Sequence, residues 1–181
     1  FYICEFKAAE AIEMERLRRQ LINTLESTSV DCLGGRGVKV LDINLYDLCI
    51  QLLQAREGST EGSRLWDEVL AVEHDVEKDG LLELLQNVLG IEEYLIPAIG
   101  ERIQQSEFDV LFLSGIGEVF PYIRSHNVLN NLQSTAKNQP TILFLPGEYR
   151  HSLEHGASLE LFGLLHDDKY YRAFNIYEIQ A

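Results

Sequence analysis

The sequence predicts a three-layer α/β domain, with a mainly parallel central sheet flanked by helices and a helical insert at about 58–106. Three observations carry this prediction. Short apolar runs alternate with segments of helical period. The connections between the runs are too long for hairpins, which implies parallel pairing. The run Val110 to Leu113 is apolar without alternation, as a strand buried on both faces requires.

Phe1 to Phe6 reads as the first strand, and Lys7 to about Glu26 as a helix with Met14, Leu17, Leu21 and Leu25 on one stripe. Arg16, Arg18 and Arg19 form a basic cluster on that helix, a candidate partner-facing spot on an acidic protein. Val38 to Asn44 is the second strand, with Asp42 in a strand-edge or capping role, and Leu45 to Arg56 the second helix. Gly58 to Ser63 reads as a flexible break. Beyond it comes the insert, without any strand signal: a stripe of Leu65, Val69, Val72 and Val76, a leucine-rich stretch from Leu81 to Leu89, and a helix from Ile91 to Gln105 that Pro97 must kink or restart.

The central strand, Val110 to Leu113, ends in Ser114-Gly115-Ile116-Gly117-Glu118, where two glycines admit backbone conformations closed to other residues. A helix from about Ser125, its N-cap, to Thr135 follows. Thr141 to Leu145 repeats the pattern and ends in Pro146-Gly147-Glu148-Tyr149. Two such strands, each ending in a Gly-Glu turn, place Glu118 and Glu148 on one rim, at the edge where open α/β sheets have their binding crevice. The candidate rim comprises Gly115, Gly117, Glu118, Tyr122, Arg124, Ser125, His126, Pro146, Gly147, Glu148 and Tyr149, with Arg124 pairing Glu118 or Glu148. The rest reads as a loop from Arg150 to Gly156 holding His151 and His155, a short helix from Ala157 to Leu165, and a last strand from Tyr170 to Tyr177. One domain covers all 181 residues.

Composition narrows the function. The chain is 46% hydrophobic and 24% charged, the profile of an ordinary globular protein. Its formal charge is -14, from 29 acidic and 15 basic residues. Such a surface repels phosphate backbones and anionic membranes, so neither nucleic acid nor membrane is an expected partner. No apolar stretch approaches the ~20 residues of a membrane span. Cys4, Cys32 and Cys49 lie apart in apolar stretches and read as buried reduced thiols, which suits the cytoplasm. The sequence begins at Phe1 and is compatible with an upstream segment.

Tests for chemistry return little. The first strand leads into Lys7-Ala8-Ala9-Glu10, with no glycine, and Gly34-Gly35-Arg36-Gly37 precedes a strand and ends in no Gly-Lys-Ser/Thr. The sheet is therefore of a nucleotide-binding type that lacks a phosphate loop. Ser114 sits in no GxSxG elbow, and His151 and His155 are four apart in a loop. No catalytic residue, metal or cofactor is assigned.

One resemblance goes further. It is carried by Val38 to Tyr46, by Gly115 to His126 with Leu129-Asn130-Asn131-Leu132, by Pro146 to Tyr149, by Leu161-Phe162-Gly163, by Asp168, and by Tyr170 to Phe174. Together these resemble the BrxB family, the small component of bacterial BREX phage-defence systems. The segment Arg150 to Gly156 is longer than the family's loop, which detaches His151 and His155 from any shared role. The resemblance implies a cytoplasmic protein without assigned catalytic activity, placed among the phosphatase-like PglZ, the ATPase BrxC and the methyltransferase PglX. The expected function is a non-catalytic adaptor that binds PglZ first and BrxC second. The alternative is a small metal- or nucleotide-dependent enzyme or sensor built on Glu118, Arg124, His126 and Glu148.

Overall fold

The computed structural model describes residues 1–136, 138–152, 156–163, 165–168 and 173–179. In chain order, β1 (Tyr2–Phe6) leads to α1 (Ala11–Ser27), then β2 (Val40–Asn44) and α2 (Leu45–Ala55). The insert holds α3 (Leu65–Val72), α4 (Lys78–Leu89), a π-helical turn at Ile91–Leu95 and α5 (Ile96–Gln105). After β3 (Val110–Ser114) come α6 (Ser125–Thr135), β4 (Thr141–Ser152), β5 (Gly156–Leu161), β6 (Leu165–Asp168) and β7 (Phe174–Asn175). The sheet order is β2-β3-β4-β1-β7, all parallel.

Alternate residues of these strands feed two separate cores, as a pleated strand covered on both faces demands. Ile3, Ile43, Leu111, Leu113, Leu143 and Leu145 face the insert helices and α6. Val110, Phe112 and Phe144 face the other way, packed by Met14, Ile22 and Leu25 of α1. The rings of Phe112 and Phe144 meet edge-on at 5.2 Å. Every residue of β3 is buried, as its unbroken apolar run predicts.

The inward stripe of α1 differs from the sequence reading. Leu17 and Leu21 are exposed, and the buried line is Met14, Arg18, Ile22 and Leu25. An arginine at the centre of that line hides it from a hydrophobic count. Pro97 does restart a helix: it is the second residue of α5, after the π-helical turn. The insert is tied to α2 by Arg56, whose guanidinium donates to the Val88 carbonyl and lies 3.6 Å from the centre of the Tyr94 ring.

Three expectations for the last third are corrected. Pro146 to Tyr149 is no turn: β4 runs through it to Ser152 and pairs antiparallel with β5, Glu148 opposite Glu160. The segment expected as a helix from Ala157 to Leu165 is strand β5 up to Leu161. Its alternation of residue type, Ser158, Leu159, Glu160, Leu161, is too short to read as a strand in isolation, and Glu160 is buried along with the two leucines. β5 then pairs antiparallel with β6. His151 belongs to β4, not a loop; His155 and the expected strand start Tyr170 to Arg172 lie outside the described residues. Cys4 is half-buried and Cys49 buried as expected, but Cys32, in a 3-10 turn at Asp31–Leu33, is exposed.

The β4–β5 pairing makes Gly147 irreplaceable: a Cβ there would lie 2.0 Å from the Glu160 carbonyl oxygen. Gly147→Ala is expected to lower stability by about 2 kcal/mol or more, since backbone must shift to relieve the overlap. A urea midpoint unchanged from wild type would contradict this close approach.

The loop expected as a flexible break is pinned by Glu68. Its carboxylate accepts from Ser59 Oγ at 2.9 Å, Thr60 N at 3.0 Å and Ser63 Oγ at 2.7 Å. Hydrogen bonds from the Ser59 backbone, the Ser63 hydroxyl and the Thr60 N–H pull its pKa down to about 2. The folded pKa is below the unfolded one. The stabilisation is therefore complete above about pH 4.5, the ordinary range, and is lost as the pH falls toward 2. Glu68→Gln is expected to speed amide exchange at Thr60 near neutral pH and to flatten its acid dependence; exchange equal to wild type at both pH values would exclude the cap.

Candidate functional site

Because the strands are parallel, β1, β2 and β3 end at Phe6, Asn44 and Ser114 on one edge of the sheet, where Pro146 pairs with Phe6 before β4 continues into its pairing with β5. A cavity of about 160 Å³ opens there, between these strand ends and the first turns of α1, and Glu118 stands on its wall. This is the crevice that an open α/β sheet offers at its carboxyl edge. Asn44 caps α2, its Oδ1 accepting from Tyr46 N at 2.9 Å and Asp47 N at 3.2 Å. Gly115 follows with φ +79, and a Cβ there would meet Asn44 Oδ1 at 2.4 Å. Glycine is therefore demanded twice at that position, by backbone conformation and by space.

The floor of the cavity is charged. Arg18 is 4% exposed and pairs with Glu15 at 2.5 Å and with Asp42. Burial pushes the Asp42 carboxyl up, against the pull of Arg18. Asp42 is thus no edge cap but the partner that keeps a buried guanidinium neutralised. The two residues are twenty-four positions apart, and nothing local pairs them. Ser114 adds an unusual feature. It is 6% exposed, and its Oγ has no hydrogen-bond partner.

The predicted rim is split by the sheet. Glu118 lines the strand-end cavity, with Gly115 and Pro146. Gly117 touches Pro146, so that a Cβ on it would lie 2.7 Å from the proline Cγ. Tyr122 donates to the Glu118 carbonyl at 3.2 Å, but its ring lines a separate groove against α2 and the insert. Burial beside Cys49 and Tyr46 raises its pKa to about 12. Glu148 is exposed and pairs with Arg150 at 2.8 Å, not with Arg124. Arg124 occupies the N-cap position of α6 without a side-chain cap, one residue before the expected Ser125. Ser125 and His126 are buried in the first turn of that helix. Tyr149 joins three segments: its N–H donates to Glu5 at 2.7 Å, and its hydroxyl donates to the Ala173 carbonyl at 2.8 Å.

The basic cluster on α1 is also divided. Arg18 is buried; Arg16 and Arg19 are exposed and pair with Glu13 and Glu15. The residues that sequence reasoning missed at the cavity are Asn44 and Glu15. Asn44 carried a readable signal, a capping residue directly before a helical run. Among the described residues, no group of three or more His, Cys, Asp or Glu side chains is placed to hold a metal ion, and no helix is long and apolar enough to cross a membrane.

The buried pair can be weighed by a double-mutant cycle. Asp42→Leu is expected to cost about 3 kcal/mol, because it leaves a buried guanidinium short of one acceptor. Joining it to Arg18→Met is expected to recover most of that loss. Additive effects in chemical denaturation would mean that the two side chains are not coupled.

Comparison with known proteins places this geometry. The model of the BrxB family, described as BREX protein BrxB, matches residues 41–176. A protein of Bacillus cereus (strain H3081.97) named BREX protein BrxB is 32% identical over 140 residues, which are 76% of this chain and 66% of that relative. This chain thus spans just under two thirds of the Bacillus cereus protein. Another of the same name, from Escherichia coli O9:H4 (strain HS), is 23% identical over 176 residues, 97% of this chain and 77% of the relative. No solved structure matches. The matched segment runs from β2 through the insert and the β4–β5 pairing and includes the Asn44, Ser114, Glu118 and Pro146 side of the strand-end cavity, and the chain belongs to the BrxB family.

Proposed function

We propose that this chain is a non-catalytic adaptor that helps assemble BREX phage-defence machinery by binding another of its proteins. The PglZ-type phosphatase-like protein is the first partner and the BrxC-type ATPase the second, with the PglX methyltransferase joining in a larger complex. Membership of the BrxB family makes the chain a BREX component. One observation favours the adaptor reading over catalysis: apart from the Ser114 hydroxyl, most polar groups near the strand ends are engaged in holding the fold. Asn44 caps a helix, Glu148 pairs with Arg150, Tyr149 ties β4 to β1 and the tail, and Arg18 is held by two carboxylates. An adaptor needs that rigidity together with exposed apolar anchors. Large exposed apolar side chains stand on α1 (Ile12, Leu17, Leu21) and around the insert (Tyr46, Leu70, Val72, Val76).

A second reading, a ligand sensor at the strand ends, is favoured only by the unpartnered Ser114 hydroxyl beside the cavity. Binding to the native state must raise the melting midpoint. A rise with a nucleotide or divalent metal that Glu118→Gln abolishes would favour the sensor.

The adaptor reading is tested by co-expressing the tagged chain with untagged PglZ-type and BrxC-type proteins. Stoichiometric recovery of the first is expected, and recovery of neither would overturn the reading. Arg16→Glu with Arg19→Glu maps the contact: loss of recovery places it on α1, and unchanged recovery moves it elsewhere.

A further inference from the structure

The groove that takes in Tyr122 lies on the opposite face of the sheet from the strand-end cavity. It is a cleft of about 220 Å³ between α2, α3 and α4, and its walls are mainly apolar: Leu53, Trp66, Val69, Leu81, Leu85 and Leu89, with Glu73 also on the lining. Tyr46 and Leu70 of its lining are more than a third exposed, as are Val72 and Val76 next along the chain. Every residue from Ala71 to Gly80 is exposed, so the lip projects from the body. Apolar surface of this kind, continuous with a cleft and rimmed by charge, marks an interaction site.

Charge selects the occupant: the lip, Ala71 to Gly80, holds Glu73, Asp75, Glu77 and Asp79 against Lys78, and the insert around it is acidic too. Residues 57–93 hold eleven acidic side chains and two basic ones, Arg64 and Lys78, a net of -9 out of the chain's -14. The acidity is thus concentrated on the insert that builds the groove. Nucleic acid and anionic lipid are repelled. A second copy of this chain brings the same charge, and α1, the helix with the most exposed large apolar side chains among the described residues, has three acidic and three basic residues and so offers no compensating field.

We propose that this groove receives a basic amphipathic helix of a partner protein. Apolar side chains spaced three and four apart enter the cleft, and Lys or Arg on the flanks face the acidic lip, the helix-in-groove mode of recognition. This rests on the adaptor reading and assigns it a surface: the insert, not α1. The apolar cleft supplies affinity, and the opposed charges supply steering and discrimination between partners.

The chain's single tryptophan, Trp66, lines the groove and reports on it directly. The probe is a synthetic helical peptide of Leu and Lys, with Leu on one face. Its controls are an isomer with the same residues scattered around the helix and an analogue with Glu in place of Lys. Saturable change in Trp66 emission is expected with the amphipathic basic peptide, at least about tenfold tighter than with either control. Affinity should fall as salt rises, since exposed charges are screened. Leu70→Lys and Glu73→Lys are both at exposed positions and are each expected to weaken binding about tenfold without moving the melting midpoint. Equal binding of the scattered isomer, indifference to both substitutions, or self-association that Leu70→Lys abolishes would overturn the proposal. The same two variants go into the partner-recovery experiment. If wild type and variants recover the partner equally, the groove assignment fails while the adaptor reading stands. If wild type recovers none but the peptide seats on Trp66, the adaptor reading fails and the groove remains.

Discussion

Burial of the central sheet on both faces is the constraint from which the remaining features follow. A parallel strand cannot turn one face to water without losing half its apolar cover, so helices must lie above and below it. Here, among the described residues, α1 is the one α-helix on one face, and five helices, α2 through α6, lie on the other. That asymmetry has consequences for charge. With a single helix over one face, the line from Met14 to Leu25 must span the sheet, and Arg18 falls in its centre. Its guanidinium then requires acidic partners from both the helix and the sheet, which Glu15 and Asp42 provide.

The same constraint separates the strand-end cavity from the groove of the insert. The carboxyl edge of a parallel sheet collects strand ends that are distant in sequence, and the cavity at Phe6, Asn44, Ser114 and Pro146 is the result. The groove of the insert has a different origin. It forms where α2, α3 and α4 meet with their apolar sides toward one another and leave space between them. Tyr122 and Glu118 stand four residues apart and share a hydrogen bond, yet each belongs to a different region. The turn after β3 is therefore the physical link between the two faces. Gly115, whose backbone only glycine adopts readily there, allows the chain to pass from one to the other.

For a BREX component the distribution of charge separates scaffold from surface. Beside the strand ends, Arg18 and Arg19 and the carboxylates of Glu15 and Asp42 neutralise one another within a few ångströms, and this stiffens the fold. On the insert the acids outnumber the bases and face solvent, so their field reaches outward over about a Debye length.

Local information in the chain was enough for much of the architecture. The unbroken run Val110 to Leu113, the long helical connections, the strand-free insert and the restart at Pro97 are all written in residue types a few positions apart, because burial on two faces and a missing N–H act locally. Tertiary structure alone decided the rest. It turned Gly147 and Glu148 from a turn into the middle of a strand, because β5 arrived to pair with them. It buried Arg18 against Asp42, exposed Leu17 and Leu21, and gave Glu148 to Arg150 in place of Arg124. The burial of Arg18 and the strand at Gly147 depend on partners that folding brings near from elsewhere in the chain, whereas Glu148 meets Arg150 two residues on only because β4 continues as a strand and sets the two on one face.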